Sequence, residues 1–122
     1  MRNFSARITN AVDGDTLDVM VDLGFDIFHG TRIRVNGINT QEMHDKDKEK
    51  KASAERAKKT AATFVGKTCE ISVVGKDKYG RTVADIKIGD LNYALYMVSL
   101  GLAVEVKYSM LDVAADLEYQ LA

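Results

Sequence analysis

Hydrophobic and polar positions alternate three times in the first third of the chain, and then the rhythm changes. Ala6 and Ile8 stand between Arg7 and Thr9; Leu17, Val19 and Val21 alternate with Asp18, Met20 and Asp22; Ile33 and Val35 alternate with Arg32, Arg34 and Asn36. Period two marks a strand with one face in a core. The pattern predicts strands over residues 5–12, over 17–22, and from near Ile27 to Asn36. Asp13-Gly14-Asp15-Thr16 joins the first two, and its Asp-Gly pair is a strong turn signal. Asp22-Leu23-Gly24-Phe25-Asp26 reads as the loop into the third, so the chain opens as an antiparallel meander. Gly37 ends the third strand and lets the backbone turn.

The stretch 43–51 alternates Asp, Lys and Glu with nearly cancelling charge, and is expected to be a mobile, solvated loop. From Ala52 the spacing becomes helical. Ala54, Ala57, Ala61, Phe64 and Val65 recur on one face, Arg56, Lys58 and Lys59 lie largely on the other, and Gly66 is placed to stop the helix. Two more strands follow over 69–74 and 82–88, joined by Gly75-Lys76-Asp77-Lys78-Tyr79-Gly80-Arg81. Asp90 is expected to cap a second helix carrying Leu91, Ala94, Leu95 and Val98 and closed by Gly101. Ser109 and Asp112 form a capping-box variant opening a third, with Met110, Val113, Ala114, Leu117 and Leu121 on its apolar stripe. Three strands, a helix, two strands and then helices predict a mainly β, α+β fold. Its expected form is a five-stranded OB-type barrel with about three helices packed on it. No repeat, low-complexity tract or linker divides residues 1–122, so one domain is expected.

Composition narrows the functional classes. A net charge of −1 and a pI near 6.1 exclude coating of nucleic acid by bulk charge, so any such contact must be local. The single cysteine, Cys69, has no disulfide partner and cannot form a cysteine-rich zinc site; its apolar run, Cys69-Glu70-Ile71-Ser72-Val73-Val74, suggests a buried, inert thiol. The basic N-terminus lacks a hydrophobic run behind it, which points to a cytoplasmic protein, with export by another route left open. No apolar stretch approaches a membrane span, so no membrane contact is expected. His29 and His44 read as ordinary exposed histidines, because neither has a metal-ligand set around it.

Three clusters carry the candidate chemistry. Asp13-Gly14-Asp15-Thr16 offers two carboxylates on either side of a glycine; Arg34 to Glu42 offers a guanidinium, an amide oxygen, a main-chain carbonyl and a carboxylate; Asp77 to Arg81 offers a second arginine beside an aromatic ring. Taken singly, these are a hairpin turn, a charged strand end and a polar turn. Together they contain what phosphodiester hydrolysis requires: hard oxygens for a divalent cation, guanidinium forks for phosphate, and a carboxylate to act on water.

From Ala6 to Val106 the sequence resembles the staphylococcal nuclease (thermonuclease) family. The resemblance rests on Val12-Asp13-Gly14-Asp15-Thr16, Arg34 through Glu42, the alanine-rich helix, Asp77-Lys78-Tyr79-Gly80-Arg81 and Gly101-Leu102-Ala103, in matching order and spacing. It implies an OB-fold barrel and calcium-dependent cleavage of DNA and RNA at the 5′-side P–O bond, leaving 3′-phosphates. It also implies that Asp15 is the first calcium-binding carboxylate, with Asp13 as an outer carboxylate beside it, and that Thr40 binds the ion through its carbonyl. Glu42 then positions or deprotonates the attacking water, Arg34 and Arg81 grip the scissile phosphate, and Lys78 and Tyr79 line the nucleotide site. The family's nucleotide-contacting tyrosine falls on Lys107, with Tyr108 one residue later.

Two departures fall in one loop. Asn39 stands where the family usually has a metal-binding aspartate; its amide oxygen can ligate calcium but brings no charge, so weaker binding of the one ion is expected. Gln41 replaces a proline and removes a constraint on the backbone presenting Thr40 and Glu42. The leading expectation is an active metal-dependent phosphodiesterase. The alternatives are a catalytically impaired module that binds nucleic acid or a protein partner, and a purely structural OB domain. Oligomeric state is not legible from the sequence.

Overall fold

The computed structural model describes residues 2–42 and 46–106; the third predicted helix, His44 and Tyr108 lie outside them. In chain order the elements are β1 (Arg2–Asp13), β2 (Thr16–Asp22), β3 (Phe28–Val35), β4 (Ile38–Thr40), α1 (Lys48–Ala62), β5 (Thr68–Lys76), β6 (Thr82–Ile88), β7 (Leu91–Asn92), α2 (Tyr93–Ser99) and β8 (Ala103–Glu105). β1, β2 and β3 form the expected meander. β1 also pairs with β5, β5 with β6, and β6 returns to β3 in parallel, with Ile33 opposite Thr82 and Val35 opposite Ala84. That last pairing closes a five-stranded mixed barrel of the OB type, so the α+β fold class expected from the sequence is the one observed.

The twelve residues of β1 serve two neighbours in turn. Arg2 to Arg7 pair with β5 and Ala6 to Asp13 with β2, and register shifts at Ile8/Asn10 and Ala11/Asp13 bend the strand between those duties. The inward positions are the ones the alternation marked: Ala6, Ile8, Leu17, Val19, Val21, Ile33 and Val35 are buried, joined by Ile71, Ala84 and Ile86 from β5 and β6.

Several boundaries differ from expectation: β1 begins at Arg2 rather than Ser5, the short strands β4, β7 and β8 are additional, and α1 ends at Ala62, which leaves Phe64 and the exposed Val65 beyond it. α1 begins at Lys48 rather than Ala52, because Asp47 caps it: its Oδ1 accepts from the Glu49 N–H at 2.8 Å and from the Lys50 N–H at 3.3 Å. The charged residues 48–51 are therefore the solvated first turn of the helix, a pattern that sequence alone does not separate from a loop. α2 is capped by Asn92, not Asp90, since Leu91 and Asn92 first extend the sheet against Ile88 and Lys87. Its buried face accordingly carries Tyr93 and Met97, whereas Leu95 is exposed. Two helices lie within the described residues, against about three expected.

α1 turns Ala54, Ala57 and Ala61 to the barrel, and small side chains let it approach closely. Gly14 completes that approach. A Cβ there would lie 2.7 Å from Ala57 Cβ and 2.8 Å from Thr40 Cγ2, distances that real Cβ contacts do not reach. Phe64, just beyond α1, meets Tyr93 and Tyr96 edge to face at 5.8 and 5.9 Å between ring centroids.

Gly14→Ala must therefore displace α1, Thr40 or both. Overpacking of this kind costs about 1–3 kcal/mol, so urea unfolding of the variant should show a midpoint lowered accordingly with an unchanged m-value.

Candidate active site

The two short elements that follow β1 and β3 build the site between them. Asp15 lies in the β1–β2 turn, and its backbone carbonyl accepts from the Val35 N–H at 2.9 Å, which ties that turn to the end of β3. Its carboxylate is nearly enclosed, the side chain being 13% exposed. Oδ1 accepts from the Thr16 hydroxyl at 3.1 Å and Oδ2 from the Thr40 backbone N–H at 3.0 Å.

Arg34, 12% exposed, completes the group. Its Nη2 stands 3.4 Å from Asp15 Oδ2 and donates to Asn39 Oδ1, while Nη1 donates to the Val35 carbonyl at 2.9 Å and the Asp15 carbonyl at 3.4 Å. The guanidinium thus bridges the carboxylate and the amide to which the family resemblance gives metal-binding roles. Removing one partner from so enclosed a pair leaves the other charge poorly compensated. Turning at Gly37, whose φ is +83°, returns the chain as β4 and carries Asn39 and Thr40 back beside Asp15. β4 is held from outside by β8, with Asn39 opposite Val104 and Thr40 opposite Ala103. Tyr93 donates its buried hydroxyl to the Gly14 carbonyl, fixing the same turn from the α2 side; burial, then the charge of Asp15, pushes its phenol far above the ordinary range.

Glu42 is exposed just after β4 and makes no hydrogen bond or ion pair with this group among the described residues. Arg32, on the neighbouring strand, has its guanidinium paired with Asp18 at 2.8 Å. That pair holds the Asp18 carboxyl below the ordinary range, its hydrogen bond from Arg32 outweighing the opposing effect of burial. Among the described residues no three His, Cys, Asp or Glu side chains gather where they could hold a metal ion. With an asparagine at 39, the convergent oxygens of Asp15 and Asn39 carry one negative charge.

A second cluster sits on the β5–β6 turn. Asp77 accepts from the backbone N–H groups of Tyr79 and Arg81, both at 2.9 Å, and from Arg81 Nε at 2.7 Å. Burial alone would raise the Asp77 carboxyl, but the hydrogen bonds from Arg81 and Tyr79 outweigh it and hold it below the ordinary range. Tyr79 is 72% exposed, with Lys78 Nζ 5.3 Å and Arg81 Cζ 5.4 Å from its ring centroid. Because Thr82 lies opposite Ile33 in the parallel ladder, this turn comes to stand one strand away from Arg34.

A family model described as staphylococcal nuclease homologue matches residues 32–121. The chain belongs to that family. No curated protein matches it. Within this staphylococcal nuclease homologue the matched span contains Arg34, Asn39, Thr40, Glu42, Lys78, Tyr79 and Arg81, while Asp15 precedes it and reaches the site through the β1–β2 turn. The structure gathers Asp15, Arg34, Asn39 and Thr40 in one hydrogen-bonded group, and on a separate turn sets the cations of Lys78 and Arg81 against the Tyr79 ring.

Sequence reasoning missed the residues that hold these groups in place. Asp77 had a signal, since a carboxylate two residues before a backbone N–H and four before an arginine is an Asx-type turn with a side-chain clamp. Tyr93 had none, because its partner, the Gly14 carbonyl, is 79 residues away in sequence. Cys69 is buried as expected, and burial pushes its thiol up to about 11.

The Asp77 carboxyl, depressed on folding from 3.8, contributes stability above that value and loses it as pH falls through the lower folded value. Asp77→Asn should therefore destabilise the fold by about 1–2 kcal/mol at pH 7, and urea titrations should show the gap to the parent narrowing as pH is taken progressively below 3.8.

Proposed function

We propose that the protein is a calcium-dependent phosphodiesterase that hydrolyses DNA and/or RNA with little sequence specificity, cutting the 5′-side P–O bond to leave 3′-phosphates. The observation that carries this reading is the convergence of Asp15, Asn39, Thr40 and Arg34 from two turns into one group, with Arg81 presented a strand away. A structural barrel has no need to aim two oxygens at one cationic centre and to display a second guanidinium beside it.

The donor set fits a hard divalent ion. Asp15 and Asn39 supply oxygens that already meet on a positively charged group, and their chemistry suits calcium. Asp15, Asn39 and the Thr40 carbonyl are the residues that would hold it. The ion would supply polarisation of a phosphoryl oxygen. Arg34 then turns its fork from the carboxylate to the phosphate, where Arg81 joins it; two permanently charged guanidinium groups stabilise the charge of the pentacoordinate state. Glu42, exposed at the end of β4, takes the proton of the attacking water. Lys78 and the exposed ring of Tyr79 offer a cation and a stacking face to the nucleotide.

Degradation of single-stranded DNA across a calcium titration tests the reading. Activity should rise with calcium and fall by roughly 10²–10³ in Glu42→Ala and in Arg34→Ala. Clean, folded protein with no cleavage at high millimolar calcium would remove it.

A second reading, a catalytically impaired module that binds nucleic acid or a protein partner, is favoured by one specific observation: Arg34 occupies the oxygens of Asp15 and Asn39, and Asn39 adds no charge to compete for a cation. Asn39→Asp should tighten calcium on the order of tenfold, read by titration calorimetry independently of activity. An unchanged affinity would show that residue 39 does not contact the ion.

A further inference from the structure

The β2–β3 turn presents an apolar surface at the end of the hairpin away from Arg34. Phe25 is 98% exposed, and Leu23, Ile27, Phe28 and Met20 around it are also exposed. The turn is rigidly made. The Leu23 N–H donates to the Ile27 carbonyl and the Ile27 N–H to the Gly24 carbonyl, both at 2.9 Å, and Asp22 Oδ1 accepts from the Gly24 N–H at 2.8 Å. Gly24, Phe25 and Asp26 occupy the left-handed region at φ +82°, +53° and +60°. A bulky phenylalanine in that region is uncommon, and its ring makes no use of the fold's own core. The turn holds Phe25 outward like a knob.

Beside it lies a hollow of about 250 Å³ on the outer face of β1, β2 and β3, lined by Ser5, Ala6, Arg7, Met20, Asp22 and Phe28, with Thr68 at its β5 side. A void of about 150 Å³ accepts a benzene ring, so this one has room for an aromatic side chain. The charges on the two features are complementary. The knob carries Asp26, and the hollow carries Arg7, and neither makes an ion pair among the described residues. Asp22, the other charge in the hollow, is turned to the Gly24 N–H. Two acidic residues flanking Phe25 also disfavour anionic lipid and nucleic-acid phosphate as occupants.

Knob and hollow therefore belong to one end of the barrel, and each carries what the other lacks. We propose that this face is a self-association surface, on which Phe25 of each chain seats in the Met20–Phe28 hollow of a second copy and Asp26 meets that copy's Arg7. Because both features are on the same patch, a twofold axis beside the hairpin satisfies both at once and closes the assembly as an isologous dimer. The candidate active site stays clear. Phe28 and Arg34 are six residues apart on β3, about 20 Å along the strand.

Sedimentation velocity of the full chain, from about 1 µM to 1 mM, tests this. The weight-average mass should rise from that of one 13.5 kDa chain towards twice that value. Phe25→Asn should weaken association at least about thirtyfold, as expected for a central aromatic anchor. Asparagine tolerates the left-handed region, so the variant keeps its fold, verified by thermal melting at the dilute end of the series. Arg7→Asp should weaken association about fivefold, and Arg7→Asp with Asp26→Arg should restore it. A single-chain mass at every concentration, or a dimer that survives Phe25→Asn, overturns the proposal. So does a monomer that binds phosphatidylcholine vesicles through Phe25, which would assign the surface to lipid instead.

Discussion

The parallel pairing of β3 with β6 is the constraint on which the rest of the molecule depends. Every other ladder in the barrel is antiparallel and joins strands that follow one another closely in sequence or share the long β1. The β3–β6 ladder is different: it joins residues about fifty positions apart and turns an open sheet into a closed one. Closure removes the free edges that β3 and β6 would otherwise present over their paired residues. It also sets the functional geometry, because the same register that puts Thr82 against Ile33 brings Arg81 and Tyr79 alongside the strand that carries Arg34.

A second constraint is the closeness of α1 to the β1–β2 turn. The alanines of α1 and the missing side chain at Gly14 let the helix, the turn and Thr40 meet, and Tyr93 secures the turn through the Gly14 carbonyl. Asp15 therefore sits on a short segment gripped from three sides. The position of Asp15 is thus set by packing of the helix, the turn and Thr40. Arg34 shows the same economy, since one guanidinium satisfies two backbone carbonyls, a carboxylate and an amide. In the staphylococcal nuclease homologue that guanidinium therefore faces one carboxylate, Asp15, and one neutral amide, Asn39.

Much of the fold was legible because two-residue alternation reports directly which side chains face a core. The strands at 17–22 and 82–88 needed no tertiary information, and neither did the order of the barrel strands and of α1 and α2; the short strands β4, β7 and β8 were not legible. The errors came where different structures share one pattern. Residues 48–51 are charged whether they form a loop or a solvated first helical turn, and only the Asp47 cap separates the two. Asp90 and Asn92 are both competent caps. The pairing of Leu91 and Asn92 with β6 delays the helix by two residues, and that shift rotates Tyr93 and Met97 inward and Leu95 outward.

For the site, the chain by itself determined which chemistries are present: the turn carboxylate at 15, guanidinium groups at 34 and 81, the neutral amide at 39 and the carboxylate at 42. Those identities are local facts, and spacing within each cluster was enough to read them. Tertiary structure decided which groups meet. It put Arg34 onto Asp15 and Asn39, tied Arg81 to Asp77 and Arg32 to Asp18, and left Phe25 outside. The physical reason is that these contacts depend on strand register and barrel closure, which are cooperative properties of the whole core. No local window of sequence contains them.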